Sequence, residues 1–134
     1  MLGVMTVLIK VAIAVQYGLL RDGIRYALKD CENFICYPVI NCDPVDVCIT
    51  NSVDILVSEV SFFEGEDFKT RMDEVIKLRK VLPGCKSVFL VDKNSFRDLA
   101  GKVEFAKESE SIDGFLYTSV ETNQFIDYLN SICC

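Results

Sequence analysis

The side chains able to do chemistry in this sequence stand at the ends of its short apolar runs. The first run closes on Val15-Gln16, the third reaches Glu59, the fourth leads into Asp92 and the fifth into Thr118. Two carboxylates, one amide and one hydroxyl make a sparse inventory. Glu59 and Asp92 would suit a weak cation site, but two carboxylates without further ligands say little for a metal. Glu59 reads equally well as a solvated strand-end acid, and Asp92 as a turn residue before Lys93-Asn94. Lys93 is a cation with the reach to swing over Glu59. Glu64, Glu66 and Asp67 are most simply a solvated loop and a favourable helix start. The sequence contains no histidine. Ser-His-Asp triads, His-ligated zinc and phosphohistidine chemistry are thereby excluded.

The seven cysteines, Cys31, Cys36, Cys42, Cys48, Cys85, Cys133 and Cys134, include no C-x-x-C and are odd in number. A disulfide framework would be shorter and even-numbered. They read as reduced thiols, several packed as small apolar residues. Cys133 and Cys134 are adjacent, bridge only with strain, and receive no role.

These residues need elements to position them, and the segments alternate in type. Lys10–Val15 is a short β-branched run and reads as a strand. Gly18–Cys31 carries Leu20, Ile24, Ala27, Leu28 and Cys31 at helical spacing. Phe34–Ile40 is a second strand, placed at an edge by Pro38. Asp43-Pro44 supplies an N-cap and an N1 proline for a short helix to about Thr50. Val53–Val60 is the third strand. Asp67–Leu82 is the clearest helix, with Phe68, Met72, Val75, Ile76 and Arg79 on one face and Pro83-Gly84 as its stop. Lys86–Val91 is the fourth strand, and Asn94 or Ser95 opens a helix carrying Leu99, Ala100, Val103 and Ala106. Ile112–Tyr117 is the fifth strand. Thr118-Ser119-Val120-Glu121 fits a capping box that opens a last helix with Phe125, Leu129 and Ile132 inward.

Five apolar strands separated by helices predict an α/β fold, a doubly wound parallel sheet with helices on both faces. The flavodoxin-like order 2-1-3-4-5 is the common solution under right-handed crossovers. With 134 residues the chain is expected to form a single domain with its core at about residues 10–132. Near this size a domain buries roughly two thirds of its unfolded surface and needs no metal or disulfide to fold. Apolar residues make up 51% and charged residues 25%, and 14 Lys+Arg against 20 Asp+Glu give a net charge of −6. That balance argues against nucleic-acid binding within these residues. Met1–Val15 lacks the basic start and small-residue cleavage site of a signal peptide, and is short of the roughly 20 residues that span a bilayer. It reads as a buried strand, with Met5 an alternative start. No membrane association is expected, and the location expected is cytoplasmic.

Three segments carry a resemblance. Lys10-Val11-Ala12-Ile13-Ala14-Val15-Gln16-Tyr17-Gly18-Leu19-Leu20-Arg21-Asp22-Gly23-Ile24 resembles the opening of a response-regulator receiver domain of two-component signalling. In that family a strand is followed by an acidic pair and a helix. Val53-Asp54-Ile55-Leu56-Val57-Ser58-Glu59-Val60 is similar to the family's third strand, whose penultimate residue is the phosphoryl-accepting Asp. Ile112-Asp113-Gly114-Phe115-Leu116-Tyr117-Thr118-Ser119-Val120 resembles the fifth strand, which is normally followed by a Lys. The likeness runs from Lys10 to about Ile132.

Carried onto this sequence, the resemblance implies a phosphoacceptor pocket that has lost its chemistry. The metal-holding acidic pair falls on Val15 and Gln16, the acceptor on Glu59, the fourth-strand hydroxyl on Asp92 and the lysine on Thr118. The aromatic switch residue falls on Phe115. Val15 offers Mg²⁺ no oxygen and Gln16 only a neutral amide, whereas Mg²⁺ demands octahedral oxygen ligands. Thr118 cannot offset charge developing in phosphoryl transfer. Glu59 is one methylene too long for the attacking position. The expectation is a degenerate pseudo-receiver, not an enzyme, with no metal or cofactor, whose Glu59, Asp92 and Thr118 lie in one shallow pocket. It would act in signal transduction by protein–protein interaction without phosphorylation. Its partner would be a sensor kinase or an output protein. A homodimer through the last helix–strand–helix face, around Phe115 and Tyr117, would also fit the family. Two alternatives stay open. One is a phosphorylatable atypical receiver of a transcriptional response regulator. The other is a small flavin or redox protein, although Gln16-Tyr17-Gly18-Leu19 is a poor phosphate cradle.

Overall fold

Short apolar runs that are buried on both sides become the strands of a parallel sheet, because helical crossovers cover both of its faces. The computed structural model describes residues 8–61, 67–95 and 98–133. The strands are β1 (Ile9–Ala14), β2 (Phe34–Pro38), β3 (Ile55–Val60), β4 (Lys86–Val91) and β5 (Gly114–Tyr117). The helices are α1 (Gly18–Lys29), α2 (Pro44–Asn51), α3 (Phe68–Val81), α4 (Leu99–Glu108) and α5 (Thr122–Cys133). All pairings are parallel and the order is β2-β1-β3-β4-β5. This is the predicted flavodoxin-like topology. The expectations for residues before Leu8, for Glu64 and Glu66 and for Cys134 lie outside the described residues.

The period-2 alternation of β1 sorts its side chains between two layers. Ile9, Val11, Ile13 and Val15 pack with Ile24 and Leu28 of α1 and with Phe125 and Leu129 of α5. Ala12 and Ala14 face the other way, against Val45 and Cys48 of α2 and Leu78 of α3. Farther along that second face, Phe89 and Val91 of β4 meet Val75 of α3 and Leu99 and Val103 of α4. Helices α1 and α5 therefore cover one face of the sheet, and α2, α3 and α4 the other. Strand β2 lies at the edge, where Pro38, opposite Ile13, breaks no interior ladder.

Acids at the strand starts are structural. Asp54 accepts the Lys10 N–H through Oδ2 at 2.9 Å and donates its own N–H to the Lys10 carbonyl at 2.8 Å. Asp113 does the same with Ser87, at 2.8 and 3.0 Å. Helix starts are capped in sequence-legible ways. Asp43 Oδ1 accepts the Val45 N–H at 2.9 Å ahead of Pro44, and Asp67 Oδ1 accepts the Thr70 N–H at 2.7 Å.

Several element ends differ from expectation. The box Thr118-Ser119-Val120-Glu121 does not open α5, which begins at Thr122. The Thr118 N–H is bonded to the Val91 carbonyl at 3.0 Å, which keeps Thr118 at the sheet edge. Helix α4 begins at Leu99, and Ser95 reaches it from outside, its Oγ accepting the Ala100 N–H at 3.0 Å. In α3 the buried stripe is Arg71, Val75 and Leu78, while Ile76 is half exposed. Cys48 and Cys85 are buried, and Cys31, Cys36, Cys42, Cys48 and Cys85 are thiols rather than disulfides. Among the described residues no helix is long and apolar enough to cross a membrane.

Candidate functional site at the carboxyl edge of the sheet

Parallel strands present their carboxyl ends along one edge, and in open α/β sheets that edge is where ligands bind. Strand register lines up the expected residues there. Ala14 pairs with Ser58, so Val15 and Glu59 follow side by side. Glu59 pairs with Leu90, and Val91 pairs with Tyr117. Asp92 and Thr118 thus leave adjacent strands together, one strand spacing apart.

Their side chains do separate jobs. Val15 has no exposed surface and belongs to the core beneath α1 and α5. Gln16 is exposed. Glu59 is half-buried, and its Oε1 accepts the Tyr17 N–H at 3.4 Å, a long bond between β3 and the β1–α1 loop. Asp92 is exposed and turns back on its own loop, Oδ1 accepting the Asn94 N–H at 2.9 Å. This is the turn role that its sequence context allowed. Among the described residues no three Cys, Asp or Glu side chains are grouped to hold a metal ion.

Lys93 does not lie over Glu59 in this structure. Its Nζ sits 5.7 Å from the centroid of the Tyr117 ring, a cation–π arrangement. Tyr117 meets Phe115 edge-to-face at 5.5 Å, and its hydroxyl donates to Glu104 Oε2 at 2.6 Å. That hydrogen bond is the main reason the phenol is pushed above the usual tyrosine range. On α4, Phe105 projects into solvent. Phe115, Tyr117, Lys93 and Glu104 thus form one connected group spanning β5, the β4–α4 loop and α4.

Two cavities flank the β1–α1 loop, and Glu59 and Asp92 line neither. The larger, about 370 Å³, lies between α1 and the β5–α5 connection. Tyr17, Leu20, Ile24, Thr118, Val120 and Phe125 are among its walls, so Thr118 faces a mostly apolar space. The second, about 220 Å³, has Gln16, Arg21, Asn41 and Arg71 among its walls. The single shallow pocket expected for Glu59, Asp92 and Thr118 is not among these cavities. The arginines were missed because Arg21 on α1 and Arg71 on α3 belong to helices on opposite faces of the sheet and reach one cavity only at its carboxyl edge. The one local signal was Arg71 with Glu74 at helical i,i+3 spacing.

No protein-family model matches the sequence, and no curated protein matches it at a significant level. Solved structures do match. A DNA-binding response regulator of the LuxR family from Staphylococcus aureus superposes with a TM-score of 0.74 at 13% identity, over 95% of this chain and 100% of that one. The signal receiver domain of the response regulator NarL from Mycobacterium tuberculosis gives 0.74 at 10% identity, over 95% and 97%. A CheY-like receiver domain protein from Methanospirillum hungatei gives 0.68 at 12% identity, over 92% of each chain. With its five-stranded order and five helices, the chain has the fold of response-regulator receiver domains.

Proposed function

We propose that this chain is a degenerate receiver, a signalling module that works through protein–protein contact and not through phosphoryl transfer. The observation that carries this reading is Val15, which is wholly buried in the α1–α5 core where the resemblance calls for a metal-holding carboxylate. Thr118 in place of the lysine, and Glu59 engaged with the Tyr17 N–H at 3.4 Å, support it. Phosphoryl transfer of this kind depends on a metal clamp, a placed carboxylate and a cation acting together. All three positions carry the wrong residue type.

The contact face proposed is α4–β5–α5. Phe115 and Tyr117, edge-to-face at 5.5 Å, supply aromatic surface there, and Lys93 and Glu104, both held against Tyr117, give the face a polar rim. An apolar centre with a polar rim is the anatomy of a docking face. The partner is a sensor kinase, an output protein or a second copy of the chain.

The test is incubation with a small-molecule phosphodonor and Mg²⁺, followed by intact-mass spectrometry. Wild type and Glu59→Asp are both expected to stay unmodified, since repair of one member of a cooperative set recovers little. A gain of one phosphoryl group on the wild type, mapped to Glu59, would overturn the reading in favour of an atypical phosphorylatable receiver.

A further inference from the structure

The cavity of about 370 Å³ between α1 and the β5–α5 connection has a local cause in the sequence. Gly23 and Ala27, four apart on α1, bring at most a methyl group to its wall, and Thr118 and Val120 opposite them are short. Protein interiors are ordinarily close-packed, and here small side chains on both sides leave a gap. Its inner wall is Ile24, Leu90 and Phe125, all buried in the core of the α1–α5 face. Leu90, only 2% exposed, belongs to β4. The space therefore reaches through the helical layer to the sheet.

Its chemistry is as one-sided as its shape. Charged residues are 25% of the chain, yet among the described residues no charged side chain lines this cavity. The polar side chains in its wall carry hydroxyls: half-buried Thr118, and exposed Tyr17 and Thr122 at the rim. The Thr118 N–H is taken by the Val91 carbonyl at 3.0 Å, whereas among the described residues its hydroxyl has no hydrogen-bond partner. A hydroxyl donates once and accepts twice. Thr118 can thus meet either a hydroxyl or a carbonyl.

We propose that this cavity binds a small, uncharged ring compound carrying one hydroxyl or carbonyl group. A volume within roughly 300–1,000 Å³, apolar walls and a few placed polar groups are the marks of a small-molecule site. The ligand is uncharged because an ion here would lose water and find no counter-charge. Phe125 offers a ring for the ligand's ring to pack against, and the Thr118 hydroxyl fixes its polar end. A docking helix fits less well. With its side chains it is about 10–12 Å across, and it would cover the mouth at Tyr17 and Leu19 without reaching Leu90. Glu59 and Asp92 are not in the wall, so the site stands whether or not the chain accepts a phosphoryl group.

The experiment is a titration of the full, isotopically labelled chain with naphthol, followed by methyl NMR, with naphthalene and naphthoate in parallel. Saturable shifts are expected at the methyls of Leu20, Ile24, Leu90, Thr118 and Val120. Naphthalene is expected to bind about 3- to 10-fold more weakly than naphthol, the worth of one ordinary hydrogen bond. Naphthoate is expected to bind about tenfold more weakly or not at all. Thr118→Val should bring naphthol down to the affinity of naphthalene and leave naphthalene unchanged. A Cβ at Gly23 meets nothing within 4 Å, so Gly23→Met fills the mouth without a clash and improves helix propensity. It is expected to abolish saturable binding of naphthol while the urea midpoint holds or rises. Shifts that never saturate, that centre on Phe105 and α4, or that survive Gly23→Met would overturn the proposal. Naphthoate binding as tightly as naphthol, or Thr118→Val leaving naphthol unaffected, would overturn it too.

Discussion

Tyr117 on β5 donates its hydroxyl to Glu104 on α4 across 2.6 Å, and Lys93 lies over the same ring at 5.7 Å. One tyrosine thus joins the β4–α4 loop, α4 and β5 at the face proposed for docking. The bond to Glu104 favours the protonated phenol, so the Tyr117 pKa is raised. Glu104→Gln is expected to bring the titration midpoint of Tyr117 down, read from the ring ¹³Cζ shift. A midpoint unmoved by that change would mean that Glu104 does not hold the hydroxyl. A folded-state pKa raised above the unfolded value gives stability that is present below the unfolded pKa and fades as pH rises through the folded one. Tyr117→Phe is therefore expected to flatten the alkaline limb of the stability profile.

Glu74 carries the clearest pH dependence at lower pH. Burial pushes its pKa from 4.5 up to about 7, against the pull of Arg71. Asp43 ahead of α2 and Asp73 on α3 add to the rise, and Lys77 on α3 opposes it. Cys48 of α2 also faces Glu74. The folded state then holds a proton that the unfolded chain has released, so stability falls as pH rises from about 4.5 to about 7 and levels off above. The size of that fall is on the order of 3 kcal/mol. Urea denaturation of wild type and Glu74→Gln across this window checks it. The difference between the two should grow steadily with pH, and a constant difference would show that Glu74 titrates normally.

Gly114 opens β5 directly beneath α5. A Cβ at this position would overlap the Tyr128 hydroxyl and come within 2.9 Å of Ile132 Cδ1. Overpacking of this kind costs about 1–3 kcal/mol, so Gly114→Ala should lower the urea midpoint accordingly. Adding Tyr128→Phe to it should recover part of the loss by removing the atom in collision. A neutral Gly114→Ala would mean that α5 sits farther from the sheet than described.

The order of elements was legible because each strand is a short apolar run and the breaks between them are marked by Pro38, Asp43-Pro44 and Pro83-Gly84. Element ends were less so, since side-chain patterns there compete with tertiary hydrogen bonds. Thr118 has the residue type of a helix cap, yet Val91 claims its N–H and the helix starts later. Ile76 has helical i,i+4 spacing with Met72, yet Arg71 takes the buried place beside Val75, paired with Glu74 at 2.9 Å. The strand-end residues Val15, Gln16, Glu59, Asp92 and Thr118 could be listed from the runs alone. That Thr118 lines one cavity, Gln16 another, and Val15, Glu59 and Asp92 neither could not, because that depends on how the β1–α1 loop passes between the two.

Val15 offers the sharpest test of the degenerate pocket. It has no exposed surface and packs with Ile24, Leu28 and Phe125, although it is the residue next to exposed Gln16. Val15→Asp would bury a carboxylate among aliphatic and aromatic side chains. An uncompensated buried charge is destabilising by about 3–5 kcal/mol, and part of that is avoided if the acid stays protonated. Gln16→Asp places the same group in solvent, where substitutions usually stay within about 0.5 kcal/mol. Denaturant unfolding of the two variants is expected to separate them by at least about 2 kcal/mol. Restoring a metal clamp therefore conflicts with keeping the core, and a variant carrying Val15→Asp, Gln16→Asp, Glu59→Asp and Thr118→Lys is expected to be much less stable than wild type. Mg²⁺ should recover part of that loss only if the new carboxylates turn outward to bind it, since a ligand stabilises the state that holds it. Equal tolerance of Val15→Asp and Gln16→Asp would place Val15 at the solvent edge and remove the observation on which the pseudo-receiver proposal rests.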